Sequence, residues 1–142
     1  TEAYTEGGSD ELLKWIKKTA RRRIPVVIDA YSPARVFEAP LKQEKCFVRV
    51  LSGNEFPQAC MGLHDAVKDG SVTHFDQQEL NDSVAGATKR PVGKAGAWAF
   101  TRDDLDVDLT PLMSAVCAHF GAVKFGKRRP KSGASGGGVV VC

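Results

Sequence analysis

The chain has 142 residues, with 20 Lys and Arg against 17 Asp and Glu, a net charge of +3, and 42% hydrophobic residues. That is enough for one domain with a real core, and the composition is that of a mostly globular, soluble chain. No apolar run approaches the roughly 18 residues that span a bilayer, so no membrane partner is expected.

Near the start, residues 10–22 place Leu12, Leu13, Trp15, Ile16 and Ala20 at helical spacing, with Ser9 or Asp10 as the expected cap. "IPVVID", residues 24–29, is a β-branched run ending in an acid, the pattern of a strand buried on both faces. "SPARVFEAPLKQ" predicts a short helix with Pro33 in its first turn and Pro40 weakening its end. "CFVRVLS", residues 46–52, predicts a second strand, parallel to and beside the first. Residues 54–70 predict a helix closed by Gly70, and residues 75–87 another amphipathic helix. "GAWAFTR", residues 96–102, reads as an aromatic strand, and residues 109–122 as the last core helix, with Thr110 before Pro111. His74 falls between two helices and is expected to be a turn residue or DNA-adjacent, not a metal ligand. Alternating strands and helices define an α/β layer architecture. Two or three strands make a small sheet, and the chain lacks an initiator Met. The sequence is therefore expected to be a piece of something longer.

The positive charge is unevenly placed. Lys124, Lys127, Arg128, Arg129 and Lys131 are five cations in an acid-free stretch; without them, 15 basic residues face 17 acidic ones. Such a patch favours phosphate backbones through counterion release, although a solvated tail that only aids solubility fits equally well. "KSGASGGG" follows as a flexible linker, so residues 124–142 are expected to be a basic, Gly/Ser-rich tail. Cysteines at 46, 60, 117 and 142 have no short metal-type spacing, and the first three read best as small core hydrophobes in a reducing compartment. A zinc site can be drawn from Cys60 with His64 and Cys117 with His119, but the apolar contexts favour core packing.

The acids carry the chemical question. Asp103, Asp104, Asp106 and Asp108 crowd the mouth of the last helix, where helix capping accounts for one of the four at most. Asp29 ends the first strand, and in open α/β sheets ligands bind outside the carboxyl ends of the strands. Asp29 also reads as a loop-starting residue bonding its own backbone. Carboxylates from a strand end and a helix start can converge on one point. There they call for a hard cation, Mg²⁺ or Mn²⁺, and two such ions are a standard device for phosphodiester hydrolysis.

The stretch "FPQACMGLHDAVKDGSVTHFDQQELNDSVAGATKRPVGKAGAWAFTRDDLDVDLTPLMSAV" resembles the C-terminal nuclease region of tailed-phage terminase large subunits, those of actinobacterial phages and prophages above all. The likeness runs over roughly residues 24–123. It rests on the Asp65–Ala66 pair, the Thr73–His74 step and the Leu80, Val84 and Ala87 helix. It continues through an Arg90-Pro91-x-Gly93 turn and the Trp98 strand, and ends on the Asp108-Leu109-x-Pro111-Leu112 helix start. The resemblance implies a ribonuclease-H-like fold over residues 1–123 that cuts concatemeric DNA with three acids and two divalent ions, Mg²⁺ or Mn²⁺. It places the family's strand-end acid at Asp29 and its last-helix acid at Asp108, with Asp106 as a substitute ligand. Residues 1–9 cannot supply the family's opening antiparallel meander, which bears the third acid. No G-x-x-x-x-G-K-[ST] phosphate loop of the ATPase motor occurs. The expected partners are double-stranded DNA, the missing upstream nuclease and ATPase segment, and the portal or small terminase subunit, in the cytoplasm of a bacterial host. Two other readings stand beside the nuclease: a non-catalytic phage-derived remnant that binds DNA or a packaging partner, and an α/β interaction module whose carboxylates only cap.

Overall fold

The computed structural model describes residues 8–20, 24–126 and 140–141. Among them the chain is mixed α/β, with five α-helices and two small sheets. Helix α1 spans Ser9–Thr19. Its cap position is Gly8, whose carbonyl accepts from Glu11 and Leu12; no side chain caps it, so neither Ser9 nor Asp10 does.

Strand β1, Val26–Asp29, is the fulcrum of the molecule. Its first three residues are fully buried, as a β-branched run in a covered sheet should be. It pairs in parallel with β2, Val48–Leu51, in the register Val26↔Val48 to Asp29↔Leu51. The connection begins as a 3₁₀ turn, Pro33–Phe37, capped by the Ser32 hydroxyl on the Ala34 N–H, and continues as α2, Glu38–Gln43. A two-residue strand β5, Val140–Val141, pairs in parallel with the other edge of β1, giving the order β2-β1-β5. That strand lies in the segment read from sequence as a flexible tail.

Side chains of β1 alternate between two apolar clusters. Val26 and Ile28 join Ile16, Ala20, Phe37 and Leu41 on the face covered by α1 and α2. Val27 joins Leu51, Cys60, Leu63, Val116, Cys117 and Phe120 on the opposite face. That second cluster belongs to α3, Glu55–Lys68, and α5, Thr110–Phe125, which pack on each other, with α5 also against β1. Helix α3 ends as expected: Gly70 adopts φ +67°, and the N–H groups of Gly70 and Ser71 return to Val67 and Ala66.

Helix α4, Gln78–Ala85, is shorter than its predicted range. His74 Nδ1 accepts from the N–H of Asp76, which holds a left-handed φ of 56° just before the helix. Gly86 stops the helix, and Ala87 opens a strand instead of closing the helix. β3, Ala87–Val92, pairs antiparallel with β4, Ala97–Arg102, as a separate two-stranded ribbon. Arg90 and Pro91, read from sequence as a turn, therefore lie within a strand, and the turn itself is residues 93–96. Proline is tolerated there because a two-stranded ribbon is all edge.

Candidate functional site

A cleft of about 400 Å³ opens where the carboxyl end of β1, the end of β4 and the start of α5 meet. Asp29 and Asp108 both line it, together with Ser32, Thr101, Arg102, Thr110, Ser114 and Cys117. The strand-end acid and the helix-start acid are thus brought to one cavity by elements far apart in sequence. Asp106 is not among the lining residues; it is exposed in the preceding loop, where its N–H bonds the Asp104 carboxylate at 2.9 Å.

Each lining carboxylate has one oxygen engaged by backbone. Asp29 Oδ1 accepts from the Tyr31 N–H at 3.3 Å, and Asp108 Oδ1 accepts from the Thr110 N–H at 2.8 Å. Bonds from Thr110, side chain and backbone, hold the Asp108 carboxyl below its ordinary pKa, with a smaller contribution from the Arg102 charge. Asp29 lies over the core: burial pushes the Cys60 thiol up, and the Asp29 charge adds to that shift.

The four aspartates divide their work, and more of it is structural than capping alone predicts. Asp103 accepts from the Thr88 hydroxyl at 3.3 Å and ties the loop to β3. Asp104 shapes a turn through the Asp106 N–H, and Asp108 satisfies the first N–H of α5. Arg102 reaches across the loop and donates from Nη1 to the Val107 carbonyl. Val107 in turn packs on Gly86, where an added Cβ would meet its Cγ1 at 2.5 Å.

The start of α5 is fully accounted for. Thr110 donates to Asp108, Pro111 has no N–H, and Met113 donates to the Leu109 carbonyl. The remaining donor, Leu112, bonds Ser83 Oγ at 3.2 Å. Ser83 is 1% exposed and sits on α4, so a neighbouring helix supplies the cap that Leu109 cannot. Sequence reasoning passed over Ser83 and Arg102. A serine on the apolar side of an amphipathic helix and an arginine beside an acid cluster were the available signals.

Among the described residues, no group of three or more His, Cys, Asp and Glu side chains is placed to hold a metal ion. The cleft therefore offers two carboxylates, with hydroxyls of Ser32, Thr101, Thr110 and Ser114 around them. This donor set is all oxygen, the hard chemistry that Mg²⁺ and Mn²⁺ prefer. Cys60 and Cys117 are buried in the core. Of the cations expected to contact DNA, Lys124 is exposed in the last turn of α5, with its ammonium 5.7 Å from the Phe120 ring centre. Lys127, Arg128, Arg129 and Lys131 lie outside the described residues. No described helix is long and apolar enough to cross a membrane. Comparison of the chain with protein-family models, with curated proteins and with solved structures found no match.

Proposed function

We propose that this chain is the C-terminal part of a ribonuclease-H-like, divalent-metal-dependent DNA nuclease of the tailed-phage terminase type, acting on concatemeric duplex DNA during genome packaging in the host cytoplasm. The observation that carries this reading is the shared cleft. Asp29 at the carboxyl end of a parallel strand and Asp108 at the mouth of α5 line one open cavity. A bound Mg²⁺ or Mn²⁺ would polarise a phosphodiester and activate water there. Asp29 and Asp108 would hold it through their carboxylate oxygens, and the bonds from Thr110 favour the ionised form of Asp108.

Two carboxylates hold one ion weakly and do not hold two. On this reading hydrolysis by the chain alone is slow or absent. It gains speed when a third acid is supplied by the family's upstream strands, in cis or as a separate segment. The portal and small terminase subunit are the further partners the reading implies.

One observation favours a second reading, a non-catalytic element that binds DNA or a packaging partner. Arg102 lines the same cleft and its charge already offsets Asp108, as a counter-ion would. Mn²⁺ titration of the full chain, followed by electron paramagnetic resonance, separates the two. The nuclease reading expects weak binding that Asp29→Asn or Asp108→Asn abolishes and Asp103→Asn leaves intact. With the upstream strands added, plasmid nicking should follow the same pattern. Mn²⁺ binding indifferent to both key substitutions would sink the metal site and leave the carboxylates as loop-shaping groups.

A further inference from the structure

Residues 103–108 join β4 to α5 and deliver Asp108 to the cleft, yet most of them stand in solvent. Asp103, Asp104, Asp106 and Asp108 are exposed, and Leu105 is 82% exposed. Val107, half-buried, is the fixed point. Its N–H donates to the Asp104 carbonyl at 3.3 Å, its side chain packs on Gly86, and its carbonyl accepts from Arg102 Nη1. The first bond is internal to the loop. The other two reach the base of the ribbon, where Arg102 closes β4 directly opposite Ala87, the residue after Gly86.

The Val107 carbonyl shares a planar peptide with the Asp108 N–H, so holding that carbonyl sets the plane from which Asp108 leaves the loop. The guanidinium donor is charged, which makes this bond stronger than one between neutral groups. Asp108 Oδ1 then takes the Thr110 N–H at 2.8 Å, and Asp108 lines the cleft. The other use for the Arg102 charge is as a counter-ion to the aspartates, and the geometry does not favour it. Among the described residues no ion pair joins Arg102 to Asp29 or Asp108. The Thr110 bonds lead in lowering the Asp108 pKa, and the Arg102 charge contributes least.

We infer that Arg102 is a positioning residue: through the Val107 carbonyl it holds the Asp108 carboxylate in place in the cleft that Asp108 shares with Asp29. The inference rests on the metal-dependent reading above and deepens it, since Arg102 acts through Asp108 and not on an ion or a substrate. The two uses of Arg102 carry opposite signs. Removing a counter-ion leaves two carboxylates at a more negative potential, which tightens cation binding. Removing a positioning group loosens it, and groups that orient metal ligands are worth about 10- to 100-fold in metal affinity.

The test is Mn²⁺ titration of the full chain by electron paramagnetic resonance, paired with amide exchange by NMR without metal, with circular dichroism to check folding. Arg102→Met should weaken Mn²⁺ binding about tenfold. Arg102→Gln, neutral and shorter, is the second variant with the same expectation. Arg102→Lys keeps the charge and a donor for the one carbonyl, and should stay within about threefold of wild type. Without metal, the Thr110 amide should exchange about fivefold faster in Arg102→Met, relative to the Met113 amide, whose acceptor is the Leu109 carbonyl. Unchanged or tighter Mn²⁺ binding in the Met and Gln variants overturns the positioning role, as does a Lys variant as weak as they are. If the wild-type chain binds no Mn²⁺, the metal reading fails on its own and the amides decide for Arg102. A Thr110 to Met113 exchange ratio equal in wild type and Arg102→Met then overturns the positioning role.

Discussion

Ser83→Ala isolates the contact that fixes the mouth of α5. Ser83 Oγ accepts from the Leu112 N–H at 3.2 Å, and Ser83 and Leu112 are 1% and 4% exposed. Alanine removes the acceptor with almost no change in volume, so the cost is electrostatic and not a packing loss. Leaving a buried N–H unpaired costs about 1–3 kcal/mol, and losing a helix cap costs about 0.5–2 kcal/mol. The overlap sets the expected loss at about 1.5 kcal/mol. With a urea slope of about 2 kcal/mol/M, the unfolding midpoint should fall by about 0.7 M at unchanged slope. Asp82→Ala, one residue away and exposed, should stay within about 0.5 kcal/mol. A Ser83→Ala loss below about 0.3 kcal/mol would mean that α5 starts equally well without the interhelical cap, and the argument for Ser83 would fail.

Gly86→Ala drives a Cβ into Val107 at 2.5 Å, and a β-branched side chain has little room to yield. It should cost about 1–3 kcal/mol in urea unfolding and, because Val107 and Asp108 are adjacent, weaken any Mn²⁺ binding in the cleft. The Asp108 carboxyl titrates below its unfolded value, so its contribution is complete above about pH 4 and is lost as pH falls through the folded pKa. Asp108→Asn should therefore flatten the acid limb of a stability–pH curve; an unaltered limb refutes the Thr110 bonds as its cause. Burial lowers the His119 pKa, so the unfolded chain binds the proton first and stability declines as pH drops below about 6.5. His119→Gln should remove that decline in thermal unfolding between about pH 5 and 7.

How much of this was legible in the sequence follows the range of the forces involved. "VVID" announced a doubly buried strand because its β-branched residues have no polar face, and it is found parallel to Val48–Leu51. Strand-end and helix-start logic pointed to Asp29 and the aspartate cluster, the resemblance singled out Asp108 within it, and one cleft takes both Asp29 and Asp108. Gly70 was read from its position after a helix and has the expected left-handed φ. Strand β3 was missed because Lys89, Arg90 and Pro91 give no apolar alternation; it exists through pairing with the aromatic β4. Ser83 was invisible because its partner is a backbone donor on another helix. Asp106 offered the same side chain as Asp108, yet an Asx turn at Asp104 holds its backbone in the loop and away from the cavity.

The single wall between the two apolar clusters has a consequence for how the molecule opens. Val26, Ile28 and Val48 serve one cluster and Val27 and Leu51 the other, so the paired strands β1 and β2 are the principal seam joining two cooperative units. Among the described residues, no extensive contact joins α1 or α2 to α3 or α5. The layer of α1 and α2 is thus built to detach by sub-global unfolding while α3, α5 and the cleft keep their contacts. Amide exchange should then resolve two protection classes, with Ile16 and Leu41 releasing deuterium together and ahead of Leu63 and Val116. A protease that samples this opening would cut near the α1 end first and leave a fragment that still carries both cleft aspartates.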